Sequence, residues 1–276
     1  MSGRRQRQGR LPLDPSTPTP NHEVVRKPLL SATTLASWTH CHTKPFIQRL
    51  MERYGIDVST MAMRRGAQAH AEVQGALEAA AGPAEITLAE GLAQGRFVFE
   101  SEAHLIDGRR KLHGYVDLIY ALEGRLHVLE LKNSRPPASP DPVWQAQVWP
   151  DHAVQLHLYG LLARSVYNVA PNLHLGYLRT GSKEDALDEL ARSGEAQAAL
   201  VRLTERSVPL PHDEAQRVRI LGEVEAFQHA ERLPQVPPPN HADPRRCQPC
   251  SVRAWCPMRL DRPGEFILFD PRLLSD

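Results

Sequence analysis

Three consecutive runs, residues 97–106, 111–122 and 126–134, carry strand-like apolar and polar patterning, separated only by the short turn-rich segments DGRR and EGR. Side chains of a strand point alternately to its two faces, so this pattern predicts three antiparallel strands joined by tight turns. In the third run Leu126, Val128, Glu130 and Lys132 share one face, which begins apolar and ends charged. Asp117 lies among apolar neighbours in the middle run, where antiparallel pairing can bring it close to Glu130. Two carboxylates held together repel, and a hard divalent cation, magnesium or manganese, is their natural partner. Lys132 would then stand where it can orient an attacking water or stabilise charge on a phosphate. On spacing alone, a solvated strand end accounts for Glu130 and Lys132 equally well.

The flanking sequence has a different period. A helix is expected in SATTLASWTHC, with Ser31 or Thr34 as its cap, and a second through MRRGAQAHAEVQGALEAAAG until Gly82-Pro83 ends it. Beyond the strands, helical spacing returns over 151–167, a short strand fits LHLGYLR, and a long amphipathic helix fits 213–233. The expected organisation is a basic, proline-rich tail over 1–28 and a helical part over 29–100. A core over 101–235, a cysteine-bearing segment over 236–262 and a C-terminal tail over 263–276 complete it. With 276 residues, 41% of them hydrophobic, the chain can bury a sizeable interior. No apolar run approaches the roughly 18 to 20 residues of a membrane crossing, and the first residues lack a secretory apolar core, so a cytoplasmic protein without membrane contact is expected. A net charge of +1 gives no global field for nucleic acid, which leaves any such binding to a local basic channel.

The chain has four cysteines: Cys41, and the tight group Cys247, Cys250 and Cys256. The Cys247–Cys250 spacing is too short for an ordinary structural disulfide. Four unrelated buried thiols would explain that spacing poorly, whereas ligation of one centre explains all four. Four thiolates suit zinc or an iron-sulfur cluster. The one-plus-three arrangement favours iron-sulfur, since zinc sites more often use two paired knuckles. His40 and His42 flank Cys41 and are alternative ligands or plain surface residues.

GYVDLI followed by LELK resembles the core motif of the PD-(D/E)XK nuclease superfamily, and within it the RecB-like branch that carries an iron-sulfur cluster. That branch includes the CRISPR-associated Cas exonuclease family and relatives in recombination and repair. RRGAQAHAEV resembles the helix that supplies a metal-binding histidine, here His70. QLHLYG resembles the Q-x3-Y helix, here Gln155 and Tyr159. SATTLASWTHC and CQPCSVRAWC resemble the two cluster-binding segments, with Cys41 and with Cys247, Cys250 and Cys256.

The resemblance implies an α/β fold, with a restriction-endonuclease-like core whose mixed β-sheet is flanked by helices and closed by a four-cysteine 4Fe-4S module. It implies a magnesium or manganese ion held by Asp117, Glu130, the Leu131 carbonyl and His70. Lys132 would position the attacking water, with Gln155 and Tyr159 at the site or on the DNA strand. Glu102 resembles an acidic residue of the family's first strand. The implied activity is hydrolysis of DNA phosphodiesters, as a single-strand exonuclease in CRISPR adaptation or DNA repair. The implied substrate is single-stranded or free-ended DNA, and the implied partners are integrase-like or helicase proteins. Arg64, Arg65, Arg135 and Arg179 are candidates for a basic groove. A non-catalytic DNA-binding or scaffold subunit is the competing reading, and the complete set of Asp117, Glu130 and Lys132 speaks against it.

Overall fold

The computed structural model describes residues 29–264, so the expected N-terminal tail, and the expected C-terminal tail from residue 265 on, lie outside the described residues. A short strand β1 (Leu30–Ser31) leads into helices α1 (Ala32–His40), α2 (Lys44–Arg53), α3 (Met61–Ala81) and α4 (Leu88–Gln94). The three predicted strands follow as β2 (Val98–Asp107), β3 (Leu112–Leu122) and β4 (Arg125–Lys132). Then come α5 (Pro150–Tyr167), β5 (Asn172–Tyr177), α6 (Ser182–Ser193), α7 (Ala196–Glu205), β6 (Val208–Leu210) and α8 (Glu214–Ala230). The cysteine-bearing segment holds only short 3-10 stretches, Pro244–Cys247 and Arg253–Trp255.

Local chemistry sets several of these boundaries. Ser31 caps α1 by accepting the Thr34 amide at 3.0 Å. Gly82 ends α3 at φ +66°, and Pro83 prevents its continuation. Pro150 opens α5, where a missing amide proton costs nothing.

The sheet is mixed. β2 and β4 both pair antiparallel with β3, β1 adds a short parallel pairing to β3, β5 runs parallel to β4, and β6 closes the far edge antiparallel to β5. One face is covered by α1, α5 and α8 through Leu35, Trp38, Leu158, Leu162, Val224 and Phe227. The other is covered by α3, α6 and α7 through Val73, Leu77, Ala186, Leu200 and Leu203. Leu126 and Val128 face the first layer and Leu129 and Leu131 the second, as strand alternation requires.

That alternation slips once, at the place that matters. On β3 the first face receives Ile119 and Ala121, but beyond Asp117 it receives Val116 and Leu112. On β2 the same face takes Val98 and then, beyond Glu102, Ala103 and Leu105. Pairing is recorded for Ser101 with Leu118 and for Ala103 with Val116, but not for the intervening Glu102 and Asp117. Glu102 has φ +48°, a left-handed conformation that is costly for a residue with a side chain. Because both strands change phase together, no residue is inserted and the register is the same on either side.

Candidate active site

The phase change releases Asp117 from regular pairing. The last recorded partners of β3 and β4 on this side are Leu118 and Leu129, and just beyond them Asp117 Oδ2 accepts the Leu131 amide at 2.7 Å. Glu130 is the next residue back along β4, so the two carboxylates share the splayed end of the sheet. They are 8% and 2% exposed. Burial pushes Asp117 up to about 6. Burial, and then the neighbouring Asp117 charge, pushes Glu130 up to about 8.

Lys132 answers this charge. Its Nζ donates to Glu130 Oε1 at 2.6 Å and to Gln155 Oε1 at 2.9 Å. Burial alone would lower the lysine pKa, but Glu130 and Asp117 outweigh it and hold the ammonium above its ordinary value. Gln155 in turn donates to the Tyr159 hydroxyl at 2.8 Å, one helical turn along α5. The Tyr159 ring lies against Gly114, where a methyl group would stand 2.5 Å from Tyr159 Cε1. The glycine in GYVDLI therefore admits this ring.

The second layer supplies His70. Its Nδ1 is 3.7 Å from Asp117 Oδ2, and burial lowers its pKa, favouring the neutral imidazole. Two buried atoms here, His70 Nε2 and Glu130 Oε2, have no hydrogen-bond partner among the described residues. Gln74, which the sequence reading missed, lies four residues after His70 on the same face of α3. Its amide donates to Glu102 Oε1 at 3.0 Å and to the Asp117 carbonyl at 3.1 Å, bridging the two phase-change residues. The i+4 spacing from His70 was the available signal.

All four cysteines are free thiols and line one small cavity of about 20 Å3. Burial pushes Cys256 up to about 11 and also raises Cys250, with the neighbouring thiols adding to both shifts. Among the described residues, no three His, Cys, Asp or Glu side chains are gathered tightly enough, as they stand, to hold a metal ion. The ends of the segment are fastened by other means as well. Thr43 Oγ1 donates to the Pro237 carbonyl at 2.8 Å, and Arg246 donates to the carbonyls of His40 and Thr39. His42 stacks on Trp38 at 3.6 Å, while His40 faces the cavity.

The basic candidates are scattered. Arg64 pairs with Asp57 at 3.5 Å, Arg65 and Arg179 are exposed, and Arg135 lines a groove between the start of α5 and the cysteine segment. No described helix is long and apolar enough to cross a membrane.

A family model described as the PD-(D/E)XK nuclease superfamily matches residues 48–257. No curated protein matches the chain. The matched span includes His70, Asp117, Glu130, Lys132, Gln155, Tyr159 and the last three cysteines, but not Cys41. Proteins of this superfamily are generally nucleases that act on DNA and typically use divalent metals such as magnesium or manganese. With most of its length in that match, and with a mixed sheet flanked by helices, the chain belongs to the PD-(D/E)XK nuclease superfamily.

Proposed function

We propose that the protein is a metal-dependent single-strand DNA exonuclease with a structural 4Fe-4S cluster, acting on free-ended DNA in CRISPR adaptation or DNA repair beside an integrase-like or helicase partner. The observation that carries the nuclease reading is the buried Asp117–Glu130 pair with its lysine. Burial disfavours the anionic form of both carboxylates, most strongly at Glu130, and Glu130 Oε2 and His70 Nε2 are buried and unpartnered among the described residues. These donors suit magnesium or manganese, held by Asp117, Glu130, His70 and the Leu131 carbonyl. Such an ion supplies charge to the scissile phosphate and makes water a better nucleophile.

The chain's own groups perform the rest. Lys132 stays protonated and is aimed by Glu130 and Gln155, so its remaining N–H can hold the attacking water or a phosphate oxygen. Gln155 is fixed by Tyr159, which leaves little freedom in the ammonium position. The water oxygen bonds to phosphorus and gives up one proton to solvent as the phosphorus–oxygen bond to the leaving group breaks, and the leaving oxygen takes up one proton from solvent.

The cysteine cavity suits a cluster by its donor set. Four thiols converge from the end of α1 and from a segment some two hundred residues later, and burial holds at least two of them protonated unless a cation displaces the proton. The test is anaerobic purification with quantification of iron, sulfide and zinc. Labelled single- and double-stranded DNA is then digested with manganese by the wild type and by Lys132→Ala. Cleavage by the wild type alone is expected, at least 100-fold above the variant, on the order of the loss of a positioned electrostatic group. Equal cleavage by both would sink the mechanism, and stoichiometric zinc without iron would sink the cluster.

A further inference from the structure

A groove of about 940 Å3 runs from the splayed end of the sheet to the cysteine segment, lined by Ser134, Arg135, Trp149, Asp151, Arg245 and Arg246 among others. It lies beside the carboxylate site, since the Trp149 amide donates to the hydroxyl of Tyr177, the β5 partner of Lys132. Ser134 and Arg135 lie two and three residues after Lys132 along the chain, and Trp149 precedes Gln155 by six residues, about 9 Å along a helix axis.

Trp149 is the unusual member. It is 45% exposed, against 3% for Trp38 and 4% for Trp144. Yet it is not loose. Its indole Nε1 donates to the Arg135 carbonyl at 3.0 Å, and its backbone amide donates to the Tyr177 hydroxyl at 3.2 Å. With the indole N–H committed, what Trp149 offers the groove is ring surface. Rigid, exposed aromatic surface beside a polar channel is what an unpaired base uses, because every base has a π-face.

The charges around it are unequal in availability. Arg245 is engaged by Asp243 at 3.0 Å, Arg246 by the Thr39 and His40 carbonyls, and Asp151 stands 3.9 Å from His40. The Arg135 guanidinium has no hydrogen-bond or ion-pair partner among the described residues, and Ser134 Oγ is a buried hydroxyl without one. Arg135 therefore offers an exposed guanidinium on the residue whose carbonyl anchors the indole, three positions after Lys132 along the chain.

We propose that Trp149 is a base-stacking platform that makes this site selective for unpaired DNA, with Arg135 holding the adjoining phosphate. The proposal rests on the nuclease reading above and specifies its substrate. A base inside a duplex is already stacked between neighbours and cannot reach the ring without being extruded, whereas a single strand or frayed end presents it directly.

The test uses the full chain, without added divalent metal, and fluorescence anisotropy of a labelled single-stranded oligonucleotide. Trp149→Ala is expected to weaken binding by about 5- to 150-fold, the range of one lost base–aromatic stack, and Trp149→Phe to keep most of the affinity. The same oligonucleotide is then scanned with an abasic site moved one position at a time. At one position the wild type should lose as much affinity as Trp149→Ala does, and the variant should lose nothing further. Unchanged affinity in Trp149→Ala overturns the platform. So does a loss of the same size at every abasic position, which would report a distorted loop, or equal binding of blunt duplex. Cleavage with manganese in the same preparations separates the two readings. If Lys132→Ala is inactive and Trp149→Ala binds normally, only the platform fails; if Lys132→Ala cleaves like the wild type, the nuclease reading fails and takes the platform with it.

Discussion

Asp117, Glu130 and Lys132 stand on strands whose two faces are packed by large apolar clusters, whereas Cys247, Cys250 and Cys256 stand on turns backed by a small cluster of Ile47, Met51, Val58 and Val252. The first region is assembled by hydrophobic burial, which forces charged groups into a place where they are uncomfortable without a cation. The second rests on a small apolar cluster and on polar ties such as Thr43 to the Pro237 carbonyl and Arg246 to the His40 carbonyl, around four free thiols. Under the proposed function a metal would therefore act differently in each, relieving an existing structure at the carboxylates and adding order at the cysteines.

The largest effect expected from this contrast is at the cysteines. On the proposed cluster reading, Cys250→Ser should abolish iron binding and open residues 236–260 to limited proteolysis, while fragments containing β2 to β4 stay resistant. A segment that remains resistant with no metal bound would break the comparison.

The carboxylates should respond in the opposite sense. Glu130→Gln should lower the cleavage rate by about 10²- to 10³-fold, yet raise the melting temperature of the metal-free protein at pH 8. The sign follows from the pKa. Glu130 is raised from 4.5 to about 8, so the stability linked to its neutral form is present below pH 4.5 and is lost as pH rises through 8. The wild type should thus destabilise over that window and the variant less so; a variant with the wild-type pH slope would show that Glu130 is not under this strain.

A smaller effect sharpens the boundary between the regions. Gly114→Ala would set a methyl 2.5 Å from Tyr159 Cε1, and such overpacking costs about 1–3 kcal/mol. Thermal unfolding should shift by that amount and cleavage should fall as Gln155 loses its anchor, while the iron content stays unchanged. A drop in iron would mean that the two regions are coupled through α5.

The sequence was most readable where one period ran unbroken. β2, β3 and β4, the ends of α1 and α3, and the convergence of His70, Asp117, Glu130, Lys132, Gln155 and Tyr159 all followed from alternation, helical spacing and resemblance. β1, α2, α4, α6, α7 and β6 were not assigned. β6 is only Val208–Leu210, too short to display a period, and α4 spans seven residues between a Thr87–Glu90 capping box and Gly95. Gln74 escaped because a helix glutamine gives no chemical signal until Glu102 leaves its regular strand geometry, and nothing in FESEAHL marks that glutamate as left-handed. Trp149 escaped because the loop before α5 has no period at all.

The shared slip of β2 and β3 also bears on how the chain finds its fold. A hairpin displaced by two residues would keep nearly every apolar side chain on its proper face, so alternation alone discriminates weakly against that error. With the slip, such a displacement sets the irregular residue of one strand against a regular stretch of the other, and Gln74 can no longer reach both. The irregularity thereby works as a register key, and a chain that has misaligned its central hairpin is penalised where Gln74 bridges Glu102 and Asp117.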